Sequence, residues 1–327
     1  MRDRGFIVGD RVVSHAFETH PEWCAAYGKR GNYTVVGASV VGRLHLRDHR
    51  GREDSFLIRS RGEWLLIAAA DGLGSARLGA SGSSLAVSAY SEYFLGSLPS
   101  SPECPTEAKP KFTPLRRETA QPHEEAAEEY GCLFWFRESR KNTPATPVSS
   151  QQFDLETITR QSIEHARSII SGWADRSRAT MSDFATTLIS FLINSRTGLC
   201  FGLQLGDGAV VGVRDDESTL LVKPRLTGEV GETPVITQAD WQDWVVTGTL
   251  SWEKEQLHAV LIMTDGVADD CLYGPPGNIL NLFGQDITRE IHRSAWPDRS
   301  ARKLVRWLST YRSRSSWDDR TMVIVFQ

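Results

Sequence analysis

Two apolar runs in the chain end on the same pair of residues: Trp64-Leu-Leu-Ile-Ala-Ala-Ala-Asp71-Gly72 and Ala259-Val-Leu-Ile-Met-Thr-Asp265-Gly266. An unbroken apolar run of this length reads as a strand covered on both faces, so it belongs inside a layered structure. A carboxylate at its end must then find a partner, because burying it alone is costly. The pattern recurs elsewhere. Phe201-Gly-Leu-Gln-Leu-Gly206 ends on Asp207, Glu53-Asp54 opens the run Ser-Phe-Leu-Ile, and Asp318-Asp319 opens Arg-Thr-Met-Val-Ile-Val-Phe. If these ends meet, they form a pocket of like charges that is unfavourable without cations. Asp and Glu oxygens with no convergent His or Cys are hard ligands, suited to Mg2+ or Mn2+ rather than zinc. Gly72 and Gly266 fit that reading, since a glycine lets the backbone turn sharply and its carbonyl can reach a metal. Taken singly, each Asp-Gly is also an ordinary turn signal. The joint pattern favours a metal site.

Composition removes several alternatives. The net charge of −4 offers no strong positive field, which excludes nucleic acid as the main partner. The apolar runs are far shorter than the roughly 20 residues of a membrane span, and Met1–Asp10 has no signal-peptide core. The five cysteines are scattered with no C-x-x-C spacing, as expected of reduced thiols in a cytoplasmic protein. Cys24 to Arg30 does spell C-x5-R, the loop signature of cysteine-dependent phosphatases. That chemistry needs a thiolate on a phosphate-cradling loop after a buried strand, and His20-Pro-Glu-Trp gives no strand, so the match is read as coincidence. Asp71-Gly-Leu-Gly-Ser superficially suits a dinucleotide loop. G-x-G-x-x-G would need glycine where Arg77 stands, and no Walker A pattern exists.

Along the chain, residues 1–34 read as an extension of uncertain structure and 35–327 as the domain. Tyr33 to Leu46 is strand-like, followed by the runs at 55–60 and 63–70, and 80–98 is helical. Residues 99–150 are rich in Pro, Ser and charge and read as a partly disordered surface insertion whose apolar patch is 132–136. Leu155, Ile158, Ile163, Ala166, Ile169 and Ile170 recur at helical spacing. Strands are expected over 184–193 and 258–265, a hairpin over 199–213 about Asp207-Gly208, a helix over 301–311 and a closing strand over 321–326. The Arg-rich helix at 301–314 reads as a solvated face, or as a means of drawing anionic substrate toward a cleft. Hairpins with helices in separate blocks argue for α+β.

The acidic motifs resemble those of the PPM family, the metal-dependent protein phosphatases of type 2C. The resemblance runs in order through Glu53-Asp54-Ser-Phe, Ala70-Asp71-Gly72-Leu-Gly-Ser75, Ala185-Thr-Thr-Leu188, Gly206-Asp207-Gly208, Thr264-Asp265-Gly266-Val267 and Asp318-Asp319-Arg-Thr321. Gly42-Arg-Leu-His45 and Gly228-Glu-Val-Gly-Glu-Thr233 resemble segments of a bacterial branch. The resemblance implies an αββα sandwich of two antiparallel sheets with helices on both outer faces, and two Mg2+ or Mn2+ ions at one edge. Carried over by motif, Asp71 bridges both ions, Gly72 lends its carbonyl, and Asp265 and Asp318 complete one ion. Glu53 holds a water, Asp207 with Asp265 serves a third, weaker ion, and Asp54 and Asp319 stand behind the ligands.

Many members grip the substrate phosphate with an arginine four residues before the glutamate. Here that residue is His49, leaving Arg50, Arg52 and His45 as alternatives for phosphate. His45 is also a candidate proton donor to the leaving group. The activity implied is hydrolysis of phosphoserine or phosphothreonine in a protein partnered with a cognate kinase, by a water between two metal ions. The chain is expected to act as a monomer. The competing reading is a phosphoprotein-binding regulatory module with little turnover.

Overall fold

The computed structural model describes residues 5–99, 154–215, 217–223, 233–272, 278–292, 297–311 and 316–327. The expected insertion at 99–150 and most of the 228–233 segment lie outside them.

Two six-stranded sheets form the middle of the molecule. The first has the order β1 (Ile7–Gly9), β4 (Ser55–Arg61), β5 (Trp64–Ala70), β6 (Leu188–Asn194), β7 (Leu199–Leu205) and β10 (Val246–Ser251). The second has the order β2 (Trp23–Arg30), β3 (Tyr33–Val40), β12 (Arg320–Phe326), β11 (Ala259–Met263), β8 (Ala209–Val213) and β9 (Ser218–Val222). Every neighbouring pair is antiparallel. Helices α2 (Gly79–Ser97) and α3 (Leu155–Ser177) cover the first sheet. Helices α4 (Asp265–Leu272), α5 (Asn278–His292) and α6 (Pro297–Thr310) cover the second. The result is the expected αββα sandwich. The buried face of α6 is Ala301, Leu304 and Leu308, and its arginines take the opposite side.

Strand alternation divides the apolar residues between layers. In β5, Leu65, Ile67 and Ala69 enter the core between the sheets, while Leu66, Ala68 and Ala70 meet the helices. Phe56 and Ile58 of β4, Val260 and Ile262 of β11, and Val323 and Val325 of β12 fill the same inter-sheet layer. Continuing each alternation one step past the apolar residues reaches Asp71, Asp54, Thr264 and Thr321. The polar ends therefore stack at one end of one apolar layer. Register agrees, pairing Ser55 with Ala70, Met263 with Met322 and Met263 with Ala209.

Several expectations change. The described part of the expected extension, residues 5–34, is built into the sandwich, because β1 joins the first sheet and β2 the second. Cys24 lies inside β2, 1% exposed and opposite Ser39, so no phosphate loop surrounds it. The strand-like stretch after Tyr33 stops at Val40 and becomes the short helix α1 (Arg43–Arg47). Met181–Phe184 is a 3-10 turn, and its strand begins at Leu188.

The expected hairpin about Asp207-Gly208 is absent: β7 and β8 belong to different sheets, and the chain crosses between them there. Gly206 makes the crossing with φ +121°, and a Cβ on it would meet the Thr187 side chain at 2.6 Å. A tight Asp-Gly pair and a sheet-to-sheet crossing look alike in sequence, since both need a glycine.

Candidate metal centre

All the acidic strand ends converge. Carboxylate oxygens of Asp71, Asp207 and Asp265 lie within 4.8 Å of one another, and a second group joins His45, Asp318 and Asp319 within the same limit. The two groups share one field. Burial, followed by the charges of Asp265, Asp54, Asp318 and Asp207, pushes the Asp71 carboxyl well above the usual carboxylate range. Asp265 is raised in the same way by burial and by Asp207 and Asp318. Burial also raises Asp318, and burial with the charge of Asp319 lifts Asp54 to about 7. Burial brings Glu53 to about 7 despite Arg50 and His45 nearby.

The backbone fixes these groups individually. The Asp71 N–H donates to Thr187 Oγ1 at 2.9 Å, and the Asp71 carbonyl accepts from the Thr187 N–H and the Thr186 hydroxyl. Gly72 bridges to Thr186. A Cβ on Gly72 would strike the Gly79 carbonyl oxygen at 2.3 Å, and one on Gly266 the Asp319 carbonyl oxygen at 1.9 Å. Both glycines thus serve close backbone approach rather than a sharp turn. Asp265 is the first residue of α4, not the end of a strand. Asp54 Oδ2 accepts from the hydroxyls of Thr264 at 2.8 Å and Thr321 at 2.6 Å. Thr233 donates to Asp207 Oδ2 at 2.5 Å.

Asp319 is saturated. Its Oδ1 accepts from the Gly42 N–H at 2.6 Å and from His45 Nδ1 at 3.0 Å, and its Oδ2 from the N–H groups of Glu53 and Asp54. Burial alone would raise its pKa, yet the His45 hydrogen bond and charge and these backbone donors hold it below the usual value. Such a carboxylate orients its neighbours and has no lone pair left for a cation.

A cation fits what the others leave open. Asp54 Oδ1, Glu53 Oε2 and Asp207 Oδ1 are buried without a hydrogen-bond partner. Unpaired buried acceptors are expensive, and an all-carboxylate set is hard-ligand chemistry.

One residue escaped the sequence reading. Asp269, one turn of α4 beyond Asp265, feels Asp207 and Asp318, and mainly burial brings its carboxyl to about 6. The i, i+4 spacing in Asp265-Gly-Val-Ala-Asp269 was the available signal. His45 is 1% exposed and faces the carboxylates, contrary to the expectation of no convergent histidine. The hydrogen bond it donates to Asp319 raises its pKa to about 9.

The phosphate candidates separate. Arg50, with a side chain 37% exposed, reaches from the Glu53 carboxylate to the Gly74 carbonyl at the rim. His49 is exposed at a left-handed position, φ 54°, after α1. Arg52 is excluded: it is 0% exposed and paired to Asp10, with further bonds to Ser39 Oγ at 2.9 Å, the Pro21 carbonyl at 3.2 Å and the Asp54 carbonyl. Arg77 turns to Asp183 at 3.3 Å and lies over the Phe17 ring, so its loop is closed by neighbours.

A four-layer sandwich with a carboxylate-lined edge between its sheets fixes the architecture and a candidate metal centre, and sequence comparison is more specific. The chain belongs to the protein phosphatase 2C family, whose model matches residues 41–309. No curated protein matches the chain. Similar solved structures include a bacterial serine phosphatase, 13% identical, covering 89% of this chain and 96% of that one, with a TM-score of 0.51. Another is the catalytic domain of the serine threonine protein phosphatase PstP in complex with 2 manganese ions, 15% identical, with coverage of 92% and 99% and a TM-score of 0.50. A C. elegans sex determining protein is 14% identical, with coverage of 89% and 64% and a TM-score of 0.50. At these identities the likeness concerns the fold. Among the described residues no helix is long and apolar enough to cross a membrane.

Proposed function

We propose that the protein is a metal-dependent serine/threonine phosphatase acting on phosphoproteins, with Mn2+ or Mg2+ as its cofactor. The observation that carries this is the convergence of Asp54, Asp71, Asp207, Asp265 and Asp318 into one buried field of like charge. A protein does not assemble such repulsion for stability, and perturbed carboxylates in one place point to a working site. Asp71, Gly72, Asp265 and Asp318 would hold the two principal ions, and Asp207 with Asp269 and Asp265 would serve a third. When bound, the ions supply Lewis-acid charge and a nucleophilic water at neutral pH.

The chain's own residues do the positioning. Thr264 and Thr321 fix Asp54, Thr186 and Thr187 fix the Asp71 backbone, and Asp319 fixes the loop at Glu53. Arg50 stands at the rim, where its guanidinium can receive a phosphoryl oxygen in exchange for the Gly74 carbonyl.

The test is hydrolysis of para-nitrophenyl phosphate and of phosphoserine and phosphothreonine peptides with and without Mn2+. Metal-dependent turnover that disappears in Asp71→Asn is expected. Mn2+ binding without turnover on any of these substrates would overturn the enzyme and favour a phosphoprotein-binding module.

A further inference from the structure

We propose that His45 Nε2 is a metal ligand, shared with Asp318 and Glu53, which makes one cation position a mixed nitrogen–oxygen site. The proposal rests on the metal-centre reading above and adds a donor type that the acidic motifs do not contain.

The geometry comes from both ring nitrogens. Nε2 lies 3.8 Å from Glu53 Oε2 and 3.7 Å from Asp318 Oδ1. Neither is short enough for a hydrogen bond. Both suit a shared cation, because two ligands each about 2.1 Å from one ion lie no more than about 4.2 Å apart. Glu53 Oε2 is buried with no hydrogen-bond partner, on a residue 8% exposed. His45 Nε2 thus lies close to both carboxylates, and no described protein donor satisfies Glu53 Oε2.

The far side of the ring supports the same assignment. Nδ1 sits 3.0 Å from Asp319 Oδ1, and that carboxylate is fixed in turn by the Gly42, Glu53 and Asp54 N–H groups. A histidine that ligates a metal characteristically donates its other N–H to a carboxylate, which sets the tautomer and leaves the facing nitrogen lone pair free. Helix α1 brings this ring in. Its first turn is pinned by the bond from the Leu44 N–H to the Trp317 carbonyl at 3.1 Å, next to Asp318 itself.

An imidazole in the set changes which ions bind well. Mg2+ prefers oxygen, whereas Mn2+, Co2+ and Zn2+ accept nitrogen increasingly well. His45→Gln should weaken Co2+ or Zn2+ binding on the order of 100-fold and Mg2+ binding much less.

The deciding measurement is pulsed EPR on the full chain loaded with Mn2+. A nitrogen coupling should appear, switch character when histidine is 15N-labelled, vanish in His45→Gln and persist in His49→Gln. Mn2+ held in an Asp71-dependent way with oxygen couplings alone would overturn the ligand assignment while leaving the metal reading intact. Unchanged metal affinities and nitrogen coupling in His45→Gln, with turnover lost, would overturn it in favour of a proton-donor role. A chain that binds no Mn2+ fails the metal reading and this proposal together. Should His45→Gln not fold, the labelled wild-type spectrum still decides whether a histidine ligates.

Discussion

Arg52, Glu53 and Asp54 are consecutive, yet they enter two opposite kinds of buried charge. Arg52 lies in a closed nest: Asp10 takes its guanidinium, Ser39, Pro21 and the Asp54 carbonyl take the remaining N–H groups, and His20 Nδ1 donates to that same carbonyl at 3.1 Å. Burial would raise the Asp10 carboxyl, but Arg52 holds it below its usual value. Glu53 and Asp54, one peptide further, join carboxylates that push one another up and keep unpartnered oxygens. The first arrangement satisfies its charges inside the chain, and the second leaves them for something from outside. Burial and charge alone do not distinguish a scaffold from a site. Whether the charges are answered locally does.

The sharpest way to break this contrast is at its most frustrated member. Asp71→Asn should reduce metal-dependent phosphatase activity by at least about 100-fold, the scale for losing one electrostatic group of a preorganised site. The same change should raise the melting temperature of the protein in EDTA, because it removes like-charge repulsion. A fall in melting temperature would mean that Asp71 is answered locally after all.

The nest should respond in the other direction. Asp10→Ala strands a buried guanidinium and should cost about 3–5 kcal/mol in urea unfolding. Replacing both partners, as Asp10→Leu with Arg52→Met, should recover much of that loss. Equal cost in the single and double variants would show that the pair is not the unit.

Acidity should separate the two regions by sign. Burial and the charge of Arg52 hold the His20 pKa down at about 4, below its unfolded value near 6.5. The unfolded chain then takes up the proton first, so this contribution is whole above pH 6.5 and falls by roughly 3 kcal/mol as the pH drops to 4. Asp54 and Glu53 are raised to about 7. Their contribution is whole below the unfolded carboxylate pKa near 4 and is lost as the pH rises through 7. In EDTA, His20→Gln should flatten the acid side of the stability profile and leave the neutral side alone. Added Mn2+ should raise the melting temperature more at pH 8 than at pH 5, because protons compete for the same oxygens. The smallest effect belongs to the rim: Arg50→Ala should raise KM for a phosphopeptide a few-fold, on the scale of losing one exposed charge-assisted contact of about 1 kcal/mol, with little change in kcat.

The acidic edge was readable because each carboxylate follows or precedes an apolar run whose alternation can be counted. That count places Asp54 and Asp71 on the inter-sheet side without any coordinates. β2 was not readable. Its buried positions Cys24, Ala26 and Gly28 alternate with Trp23, Ala25 and Tyr27, so hydropathy does not alternate although burial does. The crossing at Gly206–Gly208 was hidden by its likeness to a turn. Arg52 and Arg50 are equivalent by sequence spacing, and Asp10, a residue from the N-terminal segment, decides which one goes inside. His45 sits in Arg-Leu-His-Leu-Arg, which alternates like a strand. Its place beside Asp319 arises from a contact 274 residues apart in the chain.

β12 lies in the middle of the second sheet, between β3 and β11, and Asp318 and Asp319 open it. It is the last of the described strands in chain order, and β3, one of the first, pairs with it across the length of the domain. A growing chain can therefore build the first sheet, and much of the helical cover on it, while the second sheet still lacks its middle. The carboxylates at 53, 54, 71, 207 and 265 would already exist, but without Asp319 to order the Glu53 loop and seat His45. The acidic edge is therefore completed only when the last of the described strands is in place. A chain that stops short of residue 318 lacks the carboxylate that holds the Gly42, Glu53 and Asp54 N–H groups and His45 together.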